Sequence, residues 1–217
     1  MARNSFSKSE EYIIRHFGVE DADLKHVRER MIQDHKSEIA VSPGEGKLLH
    51  FLVGLVQPKL VVEIGTLYGY STLWMAKALP DNGKVIALEF DQSHFEAARE
   101  NFAKSNVASK IDLRHGDALE ILPTIQGSVD MVFIDANKPA YGRYLDWAMK
   151  SVRVGGVIVG DNTFLFGNLI GEDRGYKAAP NAIEAMAYFN ETLARAKNFR
   201  AAMIPTNEGM TVAQRLS

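Results

Sequence analysis

Two apolar runs in this chain end in side chains able to do chemistry. In "VDMVFIDANKPAYGRY" (129–144), five of the six residues Val129 to Ile134 are apolar, and the run closes on Asp135 with Asn137 and Lys138 just behind. A second run, "GGVIVGDN" (155–162), closes on Asp161 and Asn162. A single acid at a strand end usually does no more than face water, and a single lysine usually makes a surface ion pair. Here one acid stands three residues before a lysine and the other is followed by an amide. That pattern points to an acid and a base held at the edge of a sheet, where a proton can be taken or given.

Other strand-like runs end in the same way. "VVEIGTLYGYSTLWMA" puts Gly65 and Gly69 between a strand and a helix, where missing side chains let a ligand approach the backbone. The spacing is not G-x-G-x-x-G, so the close approach that a dinucleotide pyrophosphate needs is absent and NAD fits poorly. Glu89 ends the next run, 24 residues past Gly65, where an acid can accept hydrogen bonds from both ribose hydroxyls. In "HGDAL", Asp117 and the Ala118 amide would then stand near an adenine edge. A ribose and an adenine without a pyrophosphate point to S-adenosylmethionine (SAM).

These ends need a scaffold. Apolar runs at 59–65, 84–90, 110–116, 129–136 and 155–162 alternate with helical patterns at 70–79, 91–106 and 140–151. Nearly continuous apolar strands alternating with helices predict a parallel sheet covered on both faces, with ligands outside the carboxyl ends of the strands. Ahead of them, 8–38 carries apolar residues at helical spacing. In "VSPGEGKLLHFLVGLV", Ser42 and Pro43 read as a helix cap and first turn. A helix at about 181–196 and strands at 199–205 and 210–215, joined across "TNEG" as a hairpin, complete an α/β Rossmann-like fold. One domain over 1–217 is expected, with 1–45 as an N-terminal helical appendage. Residues 163–180 read as a flexible loop and part of a lid.

With 46% hydrophobic residues, 24% charged residues and a net charge of −2, neither nucleic acid nor an anionic membrane is favoured as a partner. The absence of cysteine excludes disulfides, thiolate metal sites and cysteine nucleophiles. "MARNSFSKSEEYIIRHF" lacks the apolar core of a secretory signal, and no run approaches the ~20 apolar residues of a membrane span. A cytoplasmic protein is expected. The six histidines show no ligand spacing and read as structural or solvent-facing.

Taken together, "IAVSPGEGKLL", "VVEIGTLYGYST", "VIALEFD", "HGDALEILP", "VFIDANKPAYGRY" and "GGVIVGDN" resemble the SAM-dependent, cation-dependent O-methyltransferases, the group of catechol and caffeoyl-coenzyme A enzymes. The tail "IPTNEGMTVAQR" is similar to that family's closing hairpin. The resemblance implies a mostly parallel seven-stranded sheet and cofactor contacts at Val41, Glu63, Gly65, Thr66, Ser71, Glu89, Ala118 and Asp135, to which the strand-end reading adds Gly69 and Asp117. It implies metal ligands at Asp135, Asp161 and Asn162, a catalytic base at Lys138, a small aromatic hydroxyl substrate and a homodimer. Tyr141 and Tyr144 match tyrosines of the plant enzymes and are as ready to pack as to touch substrate.

Such chemistry explains the residue types. A phenol loses its proton only near pH ~10, and a divalent cation acting as a Lewis acid makes that loss easier. Magnesium prefers hard oxygen ligands, which two carboxylates and an amide supply; manganese or calcium would also fit. A neutral lysine then takes the proton. Two positions depart from the family: Asn137 stands where animal catechol enzymes carry an aromatic residue, and Phe166 where plant coenzyme A-ester enzymes carry an Asn. Two rival readings remain at this stage, a non-catalytic SAM-binding dimer and a nicotinamide-dependent oxidoreductase.

Overall fold

A computed structural model describes residues 7–217; residues 1–6 of the expected appendage, and with them the start of the segment read for a secretory signal, lie outside the described residues. The chain opens with helices α1 (Lys8–Phe17), α2 (Ala22–Gln33) and α3 (Pro43–Val56). It continues through strand β1 (Leu60–Ile64), helix α4 (Tyr70–Ala76), β2 (Lys84–Glu89), α5 (Gln92–Lys104), β3 (Ile111–His115) and the short α6 (Ala118–Ile121). Then come β4 (Val129–Ile134), α7 (Tyr141–Ser151), β5 (Val152–Asp161), α8 (Pro180–Arg195), β6 (Phe199–Ile204) and β7 (Met210–Arg215). Side-chain caps explain several starts. Ser42 accepts from the Glu45 amide while the Glu45 carboxylate accepts from the Ser42 amide, with Pro43 in the first turn. Asp91 caps α5 by accepting from the Ser93 and His94 amides.

The seven strands form one sheet in the order β3-β2-β1-β4-β5-β7-β6. Strands β1 to β5 run parallel, and β1, β2 and β4 are buried along nearly their whole length; β7 pairs antiparallel with both β5 and β6. The expected hairpin is present with strand limits within a residue of the sequence reading. Strand β5 begins earlier than expected, at Val152, and a register irregularity between Val129 and Met131 absorbs the difference. The short α6 was not anticipated, and α4 is three residues shorter than its apolar pattern.

Alternation along the strands builds two core layers. Val61, Met131, Phe133, Val157 and Val159 face the layer that holds α3 and α4, whereas Val62, Ile64, Val132, Ile134 and Ile158 face that of α7 and α8. Leu24, Val27 and Met31 of α2 and Ala40 and Val41 beyond it are buried in the first layer. Hydrogen bonds reach across from α2 and its flanks: Tyr70 donates to Glu20 (2.6 Å), Tyr68 to Asp34 (2.9 Å) and Lys77 to Asp23 (2.7 Å). Helix α2 and its flanks are therefore packed against α4 and the turn that leads into it. Among the described residues no helix is long and apolar enough to cross a membrane.

Candidate active site

The strand order is decisive for the site. The connections after β1, β2, β3, β4 and β5 all leave from one edge of the sheet, and a cavity of about 580 Å³ lies over that edge, a size typical of small-molecule sites. It is lined by Gly65, Thr66 and Ser71 after β1, Glu89 and His94 after β2, Asp117 and Ala118 after β3, Asp135, Asn137 and Lys138 after β4, and Asn162 and Phe166 after β5. Glu38, Ile39, Ala40 and Val41 close it from the N-terminal side.

The first turn owes its shape to two glycines. Gly65 has φ +90°, and a Cβ there would stand 2.2 Å from the Asp135 carbonyl oxygen, so only glycine lets the β1 and β4 ends come this close. Gly69 has φ +87° at the start of α4, packed on the Phe102 ring, and does not line the cavity. Between them the Leu67 amide donates to Glu89 (2.8 Å), while the other Glu89 oxygen accepts from the Asp91 amide (2.9 Å). Each oxygen keeps a lone pair for a ligand hydroxyl. Asp117 spends one oxygen capping α6 through the Leu119 amide, 2.8 Å away.

Glu63 is placed differently from its neighbours. It faces the α3–α4 layer, is fully buried and does not line the cavity. Its carboxylate accepts from the Ser71 and Thr72 hydroxyls, and Thr72 is in turn bonded to Thr66. Burial pushes the Glu63 carboxyl from 4.5 up to about 7, against the pull of these three hydroxyls and with help from the Asp135 charge. Glu63 thus holds Ser71 and Thr66, which do face the cavity.

At the other end lie the chemical groups that opened the sequence. Asp135 and Asp161 each follow the Ile134–Gly160 pair by one residue, at the ends of neighbouring strands. Lys138 Nζ donates to Asp135 Oδ1 (3.0 Å) and to the Tyr141 hydroxyl (2.8 Å). That hydroxyl is anchored between the carbonyls of Ile134 (2.9 Å) and Asp161 (2.8 Å), so Tyr141 packs and bonds within the protein and does not line the cavity. Tyr144 does line it. Asp161 is fully buried beneath the cavity wall, whereas Asn162, in the left-handed region at φ +55°, turns toward the cavity. The Asn162 Nδ2 atom is buried with no hydrogen-bond partner. Among the described residues no group of three or more His, Cys, Asp or Glu is poised for a metal; the set here is two carboxylates and an amide, all hard oxygen donors.

Sequence reasoning missed His94, Leu67, Ile39 and Glu38. Of the six histidines His94 alone among those described enters the cavity, with its ring 5.8 Å from that of Tyr68 and its Nδ1 3.7 Å from Glu89. Its place one turn into α5 from the capping Asp91 was the available signal.

Known proteins resemble this chain in sequence and fold. A family model described as O-methyltransferase matches residues 15–216. A catechol O-methyltransferase of Niastella koreensis is 38% identical over 197 residues, covering 89% of this chain and 87% of that one. A caffeoyl-CoA O-methyltransferase of Eucalyptus globulus is 34% identical over 91% of this chain and 83% of its own. An O-methyltransferase of Streptomyces achromogenes involved in tomaymycin synthesis, solved in complex with SAM, superposes over 100% of both chains with a TM-score of 0.88 and 33% identity. One from Bacillus cereus, solved with S-adenosylhomocysteine, gives a TM-score of 0.86 and 29% identity over 96% of this chain and 97% of its own.

Proposed function

The chain belongs to the O-methyltransferase family, and from that premise we propose that it moves a methyl group from SAM to a hydroxyl of a small catechol-type or caffeate-like aromatic, with a divalent cation as helper. It is a SAM-dependent O-methyltransferase; the acceptor, the cation and the residue roles are the proposal. A nicotinamide reaction is set aside by the family.

The observation that carries the proposal is the Lys138–Asp135 pair facing, with Asn162, a cavity that also reaches Glu89 and Ala118, while Asp161 lies buried at the end of the neighbouring strand. The Glu89 carboxylate would take the ribose hydroxyls, and Asp117 and the Ala118 amide the adenine edge. Gly65, Thr66, Ser71 and Val41 would enclose the remainder of SAM, which supplies an electrophilic methyl when bound. The donor set fits a hard divalent ion, magnesium above all, held by Asp135, Asp161 and Asn162, and supplying Lewis acidity toward a phenolic oxygen.

Lys138 would receive the acceptor's proton. Its Nζ is steered by Asp135 and by a Tyr141 hydroxyl that two main-chain carbonyls hold still, so the amine has a defined place from which to act. Lys138 opens a short 3-10 turn, Lys138–Ala140, whose second residue is Pro139 and which leads into α7. Alignment of acceptor and donor by the walls contributes the remainder.

The test is direct. Purified protein with SAM, magnesium and catechol should form the methyl ether, and a chelator should stop turnover while calorimetric binding of SAM persists. Absence of product across a broad catechol panel with the cation present defeats the acceptor assignment. Two further points belong to the same proposal. The exposed Tyr12, Phe17, Phe51 and Leu55 of α1 and α3 would face a second copy of the chain in a homodimer, which sedimentation would register as twice the chain mass. A cytoplasmic setting is the other, checked by fractionation.

A further inference from the structure

The segment after β5 is tied down at both ends. Asn168 Nδ2 donates to the carbonyls of Leu165 (2.7 Å) and Tyr176 (3.0 Å), with Phe166 O at 3.4 Å. Its Oδ1 accepts from the Ala178 amide at 3.1 Å. One side chain therefore clasps the outgoing and returning strands of the loop. Arg174 fastens the tip by donating to Asn207 O (2.6 Å) and Glu208 Oε1 (3.1 Å) in the β6–β7 turn. The amides of Thr163 and Phe164 bond the same turn, at Gly209 O and Glu208 O. The sequence expectation of a flexible lid meets a loop with dedicated fastenings.

What the clasp holds is Phe166. Its backbone sits at φ +53°, next to Leu165 at φ +51°, a region that bulky residues avoid unless their surroundings impose it. The Phe166 ring lines the cavity at the β5 end, where Asn162 and Lys138 also face in, and it meets the Tyr176 ring edge-on at 5.0 Å between centroids. Asn168 bonds the carbonyls of both Phe166 and Tyr176, the two residues whose rings touch.

We propose that Asn168 is a positioning residue that fixes Phe166 as a preset wall at the acceptor end, so that acceptor choice is made by a standing aromatic surface and not by closure of a lid. The inference rests on the reading of this end of the cavity as the acceptor site. An Asn suits the task because it offers two donors and an acceptor in one plane, matching carbonyls on one side and an amide on the other. An Asp of the same shape would oppose carboxylate oxygens to carbonyls.

The experiment compares wild type, Asn168→Ala, Asn168→Asp, Phe166→Ala and the Asn168→Ala/Phe166→Ala double variant. With catechol as acceptor, Asn168→Ala should raise KM about threefold to tenfold, the worth of one aromatic contact, with a smaller change in kcat and an unchanged SAM affinity by calorimetry. Asn168→Asp should do at least as much. The double variant should match Phe166→Ala alone, because a wall that is missing needs no clasp. Independent effects that simply multiply, or equal losses of catechol and SAM binding, would overturn the positioning role in favour of general loosening. Hydrogen exchange of residues 163–178 without any acceptor should quicken in Asn168→Ala, and unchanged exchange would sink the clasp. If wild type turns over no catechol, the acceptor reading fails by itself, while the exchange measurement still judges whether Asn168 holds the loop.

Discussion

Replacing Glu63 with glutamine tests the electrostatics beneath the cofactor turn. In the unfolded chain this carboxyl titrates at about 4.5; in the folded protein burial raises it to about 7. Each tenfold change in proton affinity is worth about 1.4 kcal/mol, so the move from 4.5 to about 7 corresponds to roughly 3 kcal/mol. The sign follows from proton counting. Between those two pH values the folded protein holds more protons than the unfolded chain, so stability falls as pH rises through the window and levels off above it. The substituted amide cannot ionise and lacks this slope. Its own hydrogen bonds to Ser71 and Thr72 change, but that offset does not depend on pH and cancels in a difference. Urea denaturation at several pH values from 5 to 8 should therefore show the stability of Glu63→Gln relative to wild type climbing by about 2–3 kcal/mol over the series. A difference that stays flat within about 0.5 kcal/mol, near the usual extrapolation error, would show that Glu63 is not held neutral by its surroundings.

Three other substitutions probe separate parts of the argument. Lys138→Ala should lower catechol methylation by about 10²–10⁴ in kcat while leaving SAM affinity by calorimetry nearly intact, since the amine is assigned to the proton and not to the cofactor. Gly65→Ala should abolish detectable SAM binding and lower the melting temperature by several degrees in thermal unfolding, because its Cβ would meet the Asp135 carbonyl 2.2 Å away at φ +90°. Asp130 accepts from the Lys59 and Leu60 amides and the Arg153 guanidinium; burial would raise its carboxyl, but Arg153 and those amides outweigh it and hold the group below 3.8. Asp130→Asn should cost about 1–3 kcal/mol at neutral pH, and the gap from wild type should close as pH falls below 3.8, read by denaturant titration.

Much of the architecture is legible in the chain itself, because its signals are local. A strand covered on both faces is nearly continuously apolar, so β1, β2, β4 and β5 announce themselves, and the polar residues that follow mark where each leaves the core. Ser42 with Pro43 starts α3 by hydrogen-bond geometry confined to four residues. The same local logic brought Glu89, Asp117, Asp135, Lys138 and Asn162 to one cavity, since parallel strands joined by crossovers must all end at the same edge.

The remainder depended on contacts that no local pattern carries. Glu63 reads like another strand-end acid, yet its parity along β1 turns it away from the cavity toward Ser71 and Thr72. His94, Ile39 and Glu38 enter the cavity only because α5 and the N-terminal segment fold over the edge, fastened by pairs as distant in sequence as Tyr70 and Glu20. Residues 163–178 mix aromatic and aliphatic residues with glycines and charges, and nothing in their composition discloses that the one Asn168 amide would hold backbone groups of Leu165, Phe166, Tyr176 and Ala178. Composition and periodicity decide which face of an element is buried and where it ends, for those depend on neighbours a few residues away. Which side chains meet at the ends, and which are locked, is settled by packing between segments far apart along the chain, where the free energy belongs to the contact and to neither residue alone.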